Sequence, residues 1–421
     1  MGWRGAATPL TVRPQEPAIP ATRPNSITDG TFAARAPRID GRYTRAVRRT
    51  LIVTNDFPPR QGGIQSFVHA LATRLPRGTV TVYAPKWRGA AGFDAEQPFP
   101  VIRHPTSLML PVPSVTRRAA AIAREHECEA VLFGAAAPLG LITPALRKST
   151  KISRAVALTH GHEAGWAALP GARALLRRIG DEVDTVTYLG EYFRTRLARA
   201  LSPAAAARMV RLAPGVDADV FRPGTGGAAI RDRHGLADRP VVVCVSRLVP
   251  RKGQDTLLKA WPAIRAEFGQ AALLLVGDGP YRTNLERLAS ALGIEDKVVF
   301  AGSVPQAELP AYFDAGDVFA MPCRTRRAGL DVEGLGIVYL EASATGLPVI
   351  VGDSGGAPDA VLDGETGYVV PGGDPASVAG RVIELLADPA KARAMGDKGM
   401  AWVDREWRRE LGVTRLETLL S

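Results

Sequence analysis

The feature that most constrains this 421-residue chain is a regular alternation of short β-branched runs with longer helical stretches, repeated in two series. The first series offers strands at Leu51–Thr54, Val80–Tyr83, Ala130–Phe133, Ala155–Thr159, Thr185–Tyr188 and Val210–Leu212. The second offers Val241–Ser246, Ala272–Val276, Val298–Phe300, Val318–Met321, Pro348–Val351 and Gly367–Val370. Helical patterns fill most gaps, among them Ile64–Leu75, Gln254–Glu267, Arg282–Leu292 and Leu335–Thr345. Strands alternating with helices predict parallel sheets covered on both faces. The fold class is therefore α/β, with two Rossmann-like doubly wound domains facing across a cleft, because such sheets bind ligands at the carboxyl ends of their strands.

The expected organisation has five parts. Residues 1–49 are a basic leader whose Pro, Ala and Arg content reads as disordered. Residues 50–213 form the first domain, and 214–239, rich in Pro and Gly, form a linker. Residues 240–404 form the second domain, and 405–421 a C-terminal helix that packs back toward the first. The leader holds nine Arg against three acids and so carries +6 of the formal +11. With 6% aromatics and no recognition motif, the charge does not make the chain a nucleic-acid binder. Cys128, Cys244 and Cys323 are sparse and unpatterned, which points to a reducing, cytoplasmic compartment. The 17-residue uncharged run Ala130–Leu146 contains two Gly and two Pro and reads as a buried strand, a loop and a helix start.

Four motifs carry chemistry. After the first strand, Asp56-Phe-Pro-Pro-Arg-Gln-Gly-Gly-Ile64 places Gly62 and Gly63 at a helix N-terminus. Backbone N–H groups there suit a diphosphate, although such a Gly pair also serves a plain βα turn. At another strand end, Thr159-His-Gly-His-Glu163 presents His160. Two His and a Glu also fit a metal, but without helical i, i+4 spacing or a further ligand cluster the better reading is a hydrogen bond to sugar hydroxyls or the reacting centre. Ser246-Arg-Leu-Val-Pro-Arg-Lys-Gly253 supplies Arg247 and Lys252, cations that can neutralise a departing nucleoside diphosphate. In Gly329-Leu-Asp-Val-Glu-Gly-Leu-Gly-Ile-Val-Tyr-Leu-Glu341, Glu333 and Glu341 are eight residues apart, about two turns, and share a face if the helix starts early. Gly334-Leu-Gly336 leaves amides at that helix N-terminus for an anion. No GxGxxG follows either first strand, which weighs against a nicotinamide enzyme.

TNDFPPRQGGI, THGHEAGW, SRLVPRKGQDTLL and RTRRAGLDVEGLGIVYLEASATGLPVI, with the E-x7-E spacing of Glu333 and Glu341, together resemble glycosyltransferase family 4. The resemblance covers roughly residues 50–415 and is strongest to the family's actinobacterial mannosyltransferases. It implies a GT-B fold and retaining α-1,6 mannosyl transfer from GDP-mannose to a mannosylated phosphatidylinositol, without a metal or other cofactor. By motif, it implies that Gly62 and Gly63 bind the diphosphate, that His160 meets the mannose, and that Arg247 and Lys252 stabilise the leaving group. It further implies Glu333 on sugar hydroxyls, the Ile337 and Val338 amides on phosphate, Glu341 on the ribose, and Val304 touching the base. Arg327-Ala328, before Gly329, departs from the glycines that relatives often carry. Front-face attack, with the leaving phosphate taking the acceptor's proton, is the implied route; Glu163 and Asp56 are weaker candidates for positioning the acceptor. Asp217-Ala-Asp219 is formally a DxD metal signature, but its setting reads as a turn.

A lipid acceptor implies peripheral contact with an anionic membrane on the inner face of the plasma membrane. Leu108–Pro113 with Arg117 and Arg118, and Ala174–Arg178, combine apolar residues with cations suited to it. The alternatives are a UDP-sugar donor, a soluble acceptor, an epimerase of the same fold, and a membrane-associated binding protein without activity.

Overall fold

The computed structural model describes residues 46–421 apart from His162; most of the expected leader lies outside the described residues. The first sheet is wholly parallel, with strands β1 (Thr50–Val53), β2 (Val80–Pro85), β3 (Val101–His104), β4 (Ala130–Phe133), β5 (Arg154–Ala157), β6 (Thr185–Tyr188) and β7 (Val210–Arg211). Their spatial order is β3-β2-β1-β4-β5-β6-β7. Leu51 pairs with Thr81 on one side and Val131 on the other, so β1 sits centrally and its backbone is fully ladder-bonded. The second sheet comprises β8 (Val241–Val245), β9 (Ala272–Val276), β10 (Val298–Gly302), β11 (Val318–Met321), β12 (Val349–Gly352) and β13 (Gly367–Val370), ordered β10-β9-β8-β11-β12-β13.

The apolar runs explain this burial. All five residues of Val241–Val245 and of Ala272–Val276 are buried, as expected for strands covered by helices on both faces. In the first sheet two apolar layers form, one on each face; the layer holding Ile52, Val82 and Leu132 also receives Leu416 and Leu420. These two leucines belong to the C-terminal helix Arg409–Leu420, so the chain's last helix closes a core begun by its first strand.

Sequence order reverses between β1 and β4 in one sheet and between β8 and β11 in the other. These are the topological switch points where open α/β sheets bind ligands. Three of the four motifs follow β1, β8 and β11, and the fourth follows β5, next to β4.

Three features go beyond the sequence pattern or differ from it. Val101–His104 is a strand that the pattern did not reveal: it is a half-buried edge, and Arg103 and His104 interrupt its apolar run to bind Asp94 and Tyr83. The 214–239 segment is itself folded. It contains the helix Gly227–Arg233, buries Phe221, Ile230 and Leu236 in the second core, and is tied down by Asp314, which accepts the amides of Gly224, Gly226 and Gly227. The helix expected from Leu335 begins only at Ile337, because Gly336 is its cap at φ +76°. Glu333 therefore stands on the loop before the helix rather than sharing a helical face with Glu341.

Candidate active site

Between the carboxyl ends of the two sheets lies a cavity of about 620 Å³, within the range that holds a nucleotide-sized ligand. Gly63, Ile64, Phe67 and Arg74 line one wall, His160 and Leu189 extend it, and Lys252, Glu333, Gly336, Ile337 and Val338 form the other. Arg409 and Val413 of the C-terminal helix close one end. The structure thus brings together six of the anticipated residues: Gly63, His160, Lys252, Glu333, Ile337 and Val338.

Two helices present their N-termini to this space, Gly63–Ala72 and Ile337–Ala344. The first amides of an α-helix have no intrahelical acceptor, and the dipole adds positive potential, so both ends are suited to an anion. Gly336 is required for the second: a Cβ there would lie 2.4 Å from the Tyr339 ring, and the backbone is left-handed. Tyr339 cannot readily retreat, since its hydroxyl donates to the Met321 carbonyl at 2.7 Å and its ring is fully buried.

The electrostatic centre is Glu333. Its Oε2 lies 2.8 Å from Lys252 Nζ and 2.6 Å from Arg251 Nη1, and Arg251 also reaches Asp331 at 3.3 Å. Burial alone would push this carboxyl upward; Lys252 and Arg251 outweigh burial and hold it below the ordinary carboxylate range. Asp331 engages Arg251 from the other side, so the pair Lys252–Glu333 is the part of this cluster that reaches the cavity. Among the described residues of the lining, Arg74, Lys252 and Arg409 are the cations and Glu333 the carboxylate, with Arg409 paired outside the cavity lining to Asp217.

His160 is oriented from behind. Its Nε2 is 2.5 Å from the Gly134 carbonyl oxygen, and its ring meets Phe67 edge-on at 6.0 Å. Its backbone N–H donates to Glu163 Oε2 at 2.9 Å, so Glu163 shapes the turn that presents His160. Asp56 likewise has a local role, accepting from Gln65 Nε2 at 2.7 Å. His162 lies outside the described residues.

Four anticipated residues are not in the lining. Gly62 precedes the first helix, where the Gln65 amide packs over it. Arg247 is exposed at the end of β8, and Val304 is half-buried beyond β10 against the second core. Glu341 is buried in the second turn of its helix, and desolvation raises its carboxyl to about 7 despite the pull of Arg409. Asp217 of the DxD sequence pairs with Arg409 at 2.9 Å, while Asp219 is exposed and 3.6 Å from Arg408. Among the described residues no three His, Cys, Asp or Glu side chains converge as a metal would require. Cys128, Cys244 and Cys323 are free and buried.

Sequence reasoning missed Arg251, Arg74 and Arg409. Arg251 lies beside Lys252 within the basic motif Ser246–Gly253. Arg74 and Arg409 reach the cavity only because the helix Gly63–Ala72 and the C-terminal helix converge there, a tertiary fact without a local signal.

Comparison with known proteins fits this geometry. The Glycosyltransferase Family 4 model matches residues 61–220, and the Glycosyl transferases group 1 model matches residues 228–402. The GDP-mannose-dependent alpha-(1-6)-phosphatidylinositol monomannoside mannosyltransferase of Mycolicibacterium smegmatis is 54% identical, covering 88% of this chain and 98% of that protein. The GDP-mannose-dependent monoacylated alpha-(1-6)-phosphatidylinositol monomannoside mannosyltransferase of Corynebacterium glutamicum is 46% identical over 89% of this chain and 98% of that protein. The crystal structure of Anabaena Alr3699/HepE in complex with UDP superposes with a TM-score of 0.74 at 19% identity, covering 87% of this chain and 98% of that one. At that identity the likeness concerns the fold, which is GT-B.

Proposed function

The chain belongs to the family 4 glycosyltransferases, within the GDP-mannose-dependent alpha-(1-6)-phosphatidylinositol monomannoside mannosyltransferases, and from that premise we propose how its cleft transfers mannose from GDP-mannose to a phosphatidylinositol mannoside. The observation that carries the reading is the cavity itself: two helix N-termini and a cation-rich lining around one buried carboxylate.

The amides at Gly63, Ile337 and Val338, with Gly62 alongside, hold the diphosphate. Lys252, together with Arg247, balances the charge that grows as the C1–O bond breaks. Glu333 and His160 grip the mannose. Glu341 takes the ribose hydroxyls and the main chain at Val304 meets the base. The acceptor's hydroxyl attacks C1 from the face that GDP leaves, its proton passing to the departing phosphate oxygen, so the α configuration is kept. No side chain serves as a covalent nucleophile, and the protein's own cations carry the charge without a metal.

The acceptor is reached from an anionic membrane on the cytoplasmic face. No helix among the described residues is long and apolar enough to cross a bilayer. Leu108, Leu110 and Val112 are 54%, 49% and 41% exposed, and Arg117 and Arg118 lie exposed on the next helix. Trp87, with Arg60 over its ring at 5.3 Å, and the exposed Leu169 and Leu175 beside Arg177 and Arg178 offer the same pairing of apolar and cationic groups.

The test is incubation with GDP-mannose or UDP-sugars and phosphatidylinositol monomannoside in EDTA, followed by mass spectrometry and NMR of the lipid. One α-linked hexose added from GDP-mannose alone is the expected product. Turnover of a UDP-sugar instead, a β linkage, or loss of activity in EDTA each overturns the corresponding part. Flotation with phosphatidylinositol-containing liposomes tests the membrane surface; protein remaining at the bottom with and without anionic lipid removes it.

A further inference from the structure

The helix Glu191–Ala198 belongs to the first half, following β6, and starts without a side-chain cap of its own, because Gly190 occupies the cap position. A Ser, Thr, Asp or Asn is the usual residue there, supplying an oxygen to the N2 or N3 amide. In this molecule the oxygen comes from the opposite half. Asp359, in the turn Ala357–Ala360 after β12, places Oδ2 3.1 Å from the backbone N–H of Tyr192, the second residue of the helix. The approach is so close that a Cβ on Gly190 would lie 2.3 Å from Asp359 Oδ2. Glycine at the cap position is what lets the foreign carboxylate in.

The next residue, Phe193, is buried at the same seam. Its ring packs on Gly161, whose added Cβ would lie 2.7 Å away, and on Gly356, whose added Cβ would lie 3.2 Å away. Gly161 directly follows His160. The N–H of Gly356 donates to the Glu333 carbonyl at 2.9 Å, and Val332, the neighbour of Glu333, packs against the first half's core. One short path of contacts therefore runs from His160 through Gly161, Phe193 and Gly356 to Glu333, and Asp359 fastens it from the side.

We propose that Asp359 is a positioning residue: by capping the helix Glu191–Ala198 from across the cleft, it sets the separation of His160 and Glu333 in the reactive arrangement. A carboxylate at a helix N-terminus gains from both the amide hydrogen bond and the helix dipole, so the latch favours one relative placement of the two halves. It makes no contact with the cavity, so it acts through geometry and not through substrate. This inference rests on the transfer reaction proposed above for its kinetic arm only.

The experiment compares Asp359→Ala, Asp359→Asn and the unchanged enzyme by steady-state kinetics, GDP titration calorimetry and small-angle X-ray scattering. Asp359→Ala should lower kcat by about tenfold, the size of one lost charge-assisted cap, with GDP affinity within about threefold. Asp359→Asn keeps an oxygen acceptor for Tyr192 and should recover most of that loss. Scattering of the Ala variant should show a larger radius of gyration than the unchanged enzyme, an effect that a merely structural residue would not give without loss of melting temperature. Wild-type kcat in Asp359→Ala, or a loss of kcat matched by loss of GDP binding and of thermal stability, overturns the proposal. If the unchanged enzyme moves no mannose, the functional reading fails, while the scattering comparison still decides whether the latch exists.

Discussion

Replacing Lys252 by Met separates two jobs that the structure gives one side chain. Lys252 Nζ sits 2.8 Å from Glu333 Oε2, with the two side chains only 11% and 8% exposed. Removing the sole partner of a buried carboxylate costs about 3–5 kcal/mol. Here Arg251 remains on the same oxygen at 2.6 Å. The loss should shrink to that of one charge-assisted hydrogen bond, about 1.5–3 kcal/mol. Catalysis should suffer more. Lys252 faces the cavity while Arg251 does not line it, so Lys252 is the cation able to follow charge onto a leaving diphosphate. Loss of one such preorganised group lowers kcat by about 10²–10³.

Thermal denaturation and transfer of radiolabelled mannose from GDP-mannose measure the two effects. Arg251→Met should reverse the balance, weakening the protein comparably but lowering kcat less. The double variant leaves Glu333 buried without a cation and should destabilise by more than the sum of the single changes, a coupling of about 1 kcal/mol or more. If Lys252→Met keeps kcat within tenfold and raises only KM, the residue serves ground-state binding and the argument fails. If the two substitutions add, Arg251 does not back up Lys252.

Glu341 should make stability pH-dependent. Its carboxyl is raised from 4.5 to about 7, so the folded state holds a proton that the unfolded chain releases in that window. Stability then falls by about 3 kcal/mol as pH rises through it, and Glu341→Gln should flatten the slope in denaturation series. Ribose hydroxyls donating to Glu341 favour its ionised form, so GDP binding near pH 6.5 should release a proton, read as calorimetric enthalpies that vary with buffer. Buffer-independent enthalpies would place the ribose elsewhere. Gly336→Ala, with φ +76° and a 2.4 Å approach to Tyr339, should destabilise by about 1–3 kcal/mol and weaken GDP binding by displacing the Ile337 and Val338 amides. Unchanged affinity would exclude that helix end as the anion site. Leu416→Ala, fully buried under the first sheet, should cost about 2–5 kcal/mol by denaturation, and a loss below 1 kcal/mol would mean that the C-terminal helix is not anchored there.

What the sequence conveys and what it conceals divide along a physical line. Strands buried on both faces announce themselves, because a run such as Val241–Val245 has no polar residue to confuse with a helix or loop. Motifs on the loops after β1, β5, β8 and β11 were equally legible, since parallel topology sends every such loop to the same edge. The edge strand Val101–His104 was hidden because its polar half is satisfied by Asp94 and Tyr83, partners that no local pattern encodes. The start of the Glu341 helix turned on one left-handed glycine, and moving it by two residues changed Glu333 from a helical side chain to a loop carboxylate clasped by two cations. Arg409 shows the limit most clearly. It reaches the cavity from near the chain's end because Leu416 and Leu420 are drawn under the first sheet and Arg409 pairs with Asp217, 192 residues away. The same pairing engages the carboxylate that a DxD reading would have offered to a metal. A residue's chemistry can thus be read from its own motif only while its partner is local; where the partner comes from the other half, packing decides.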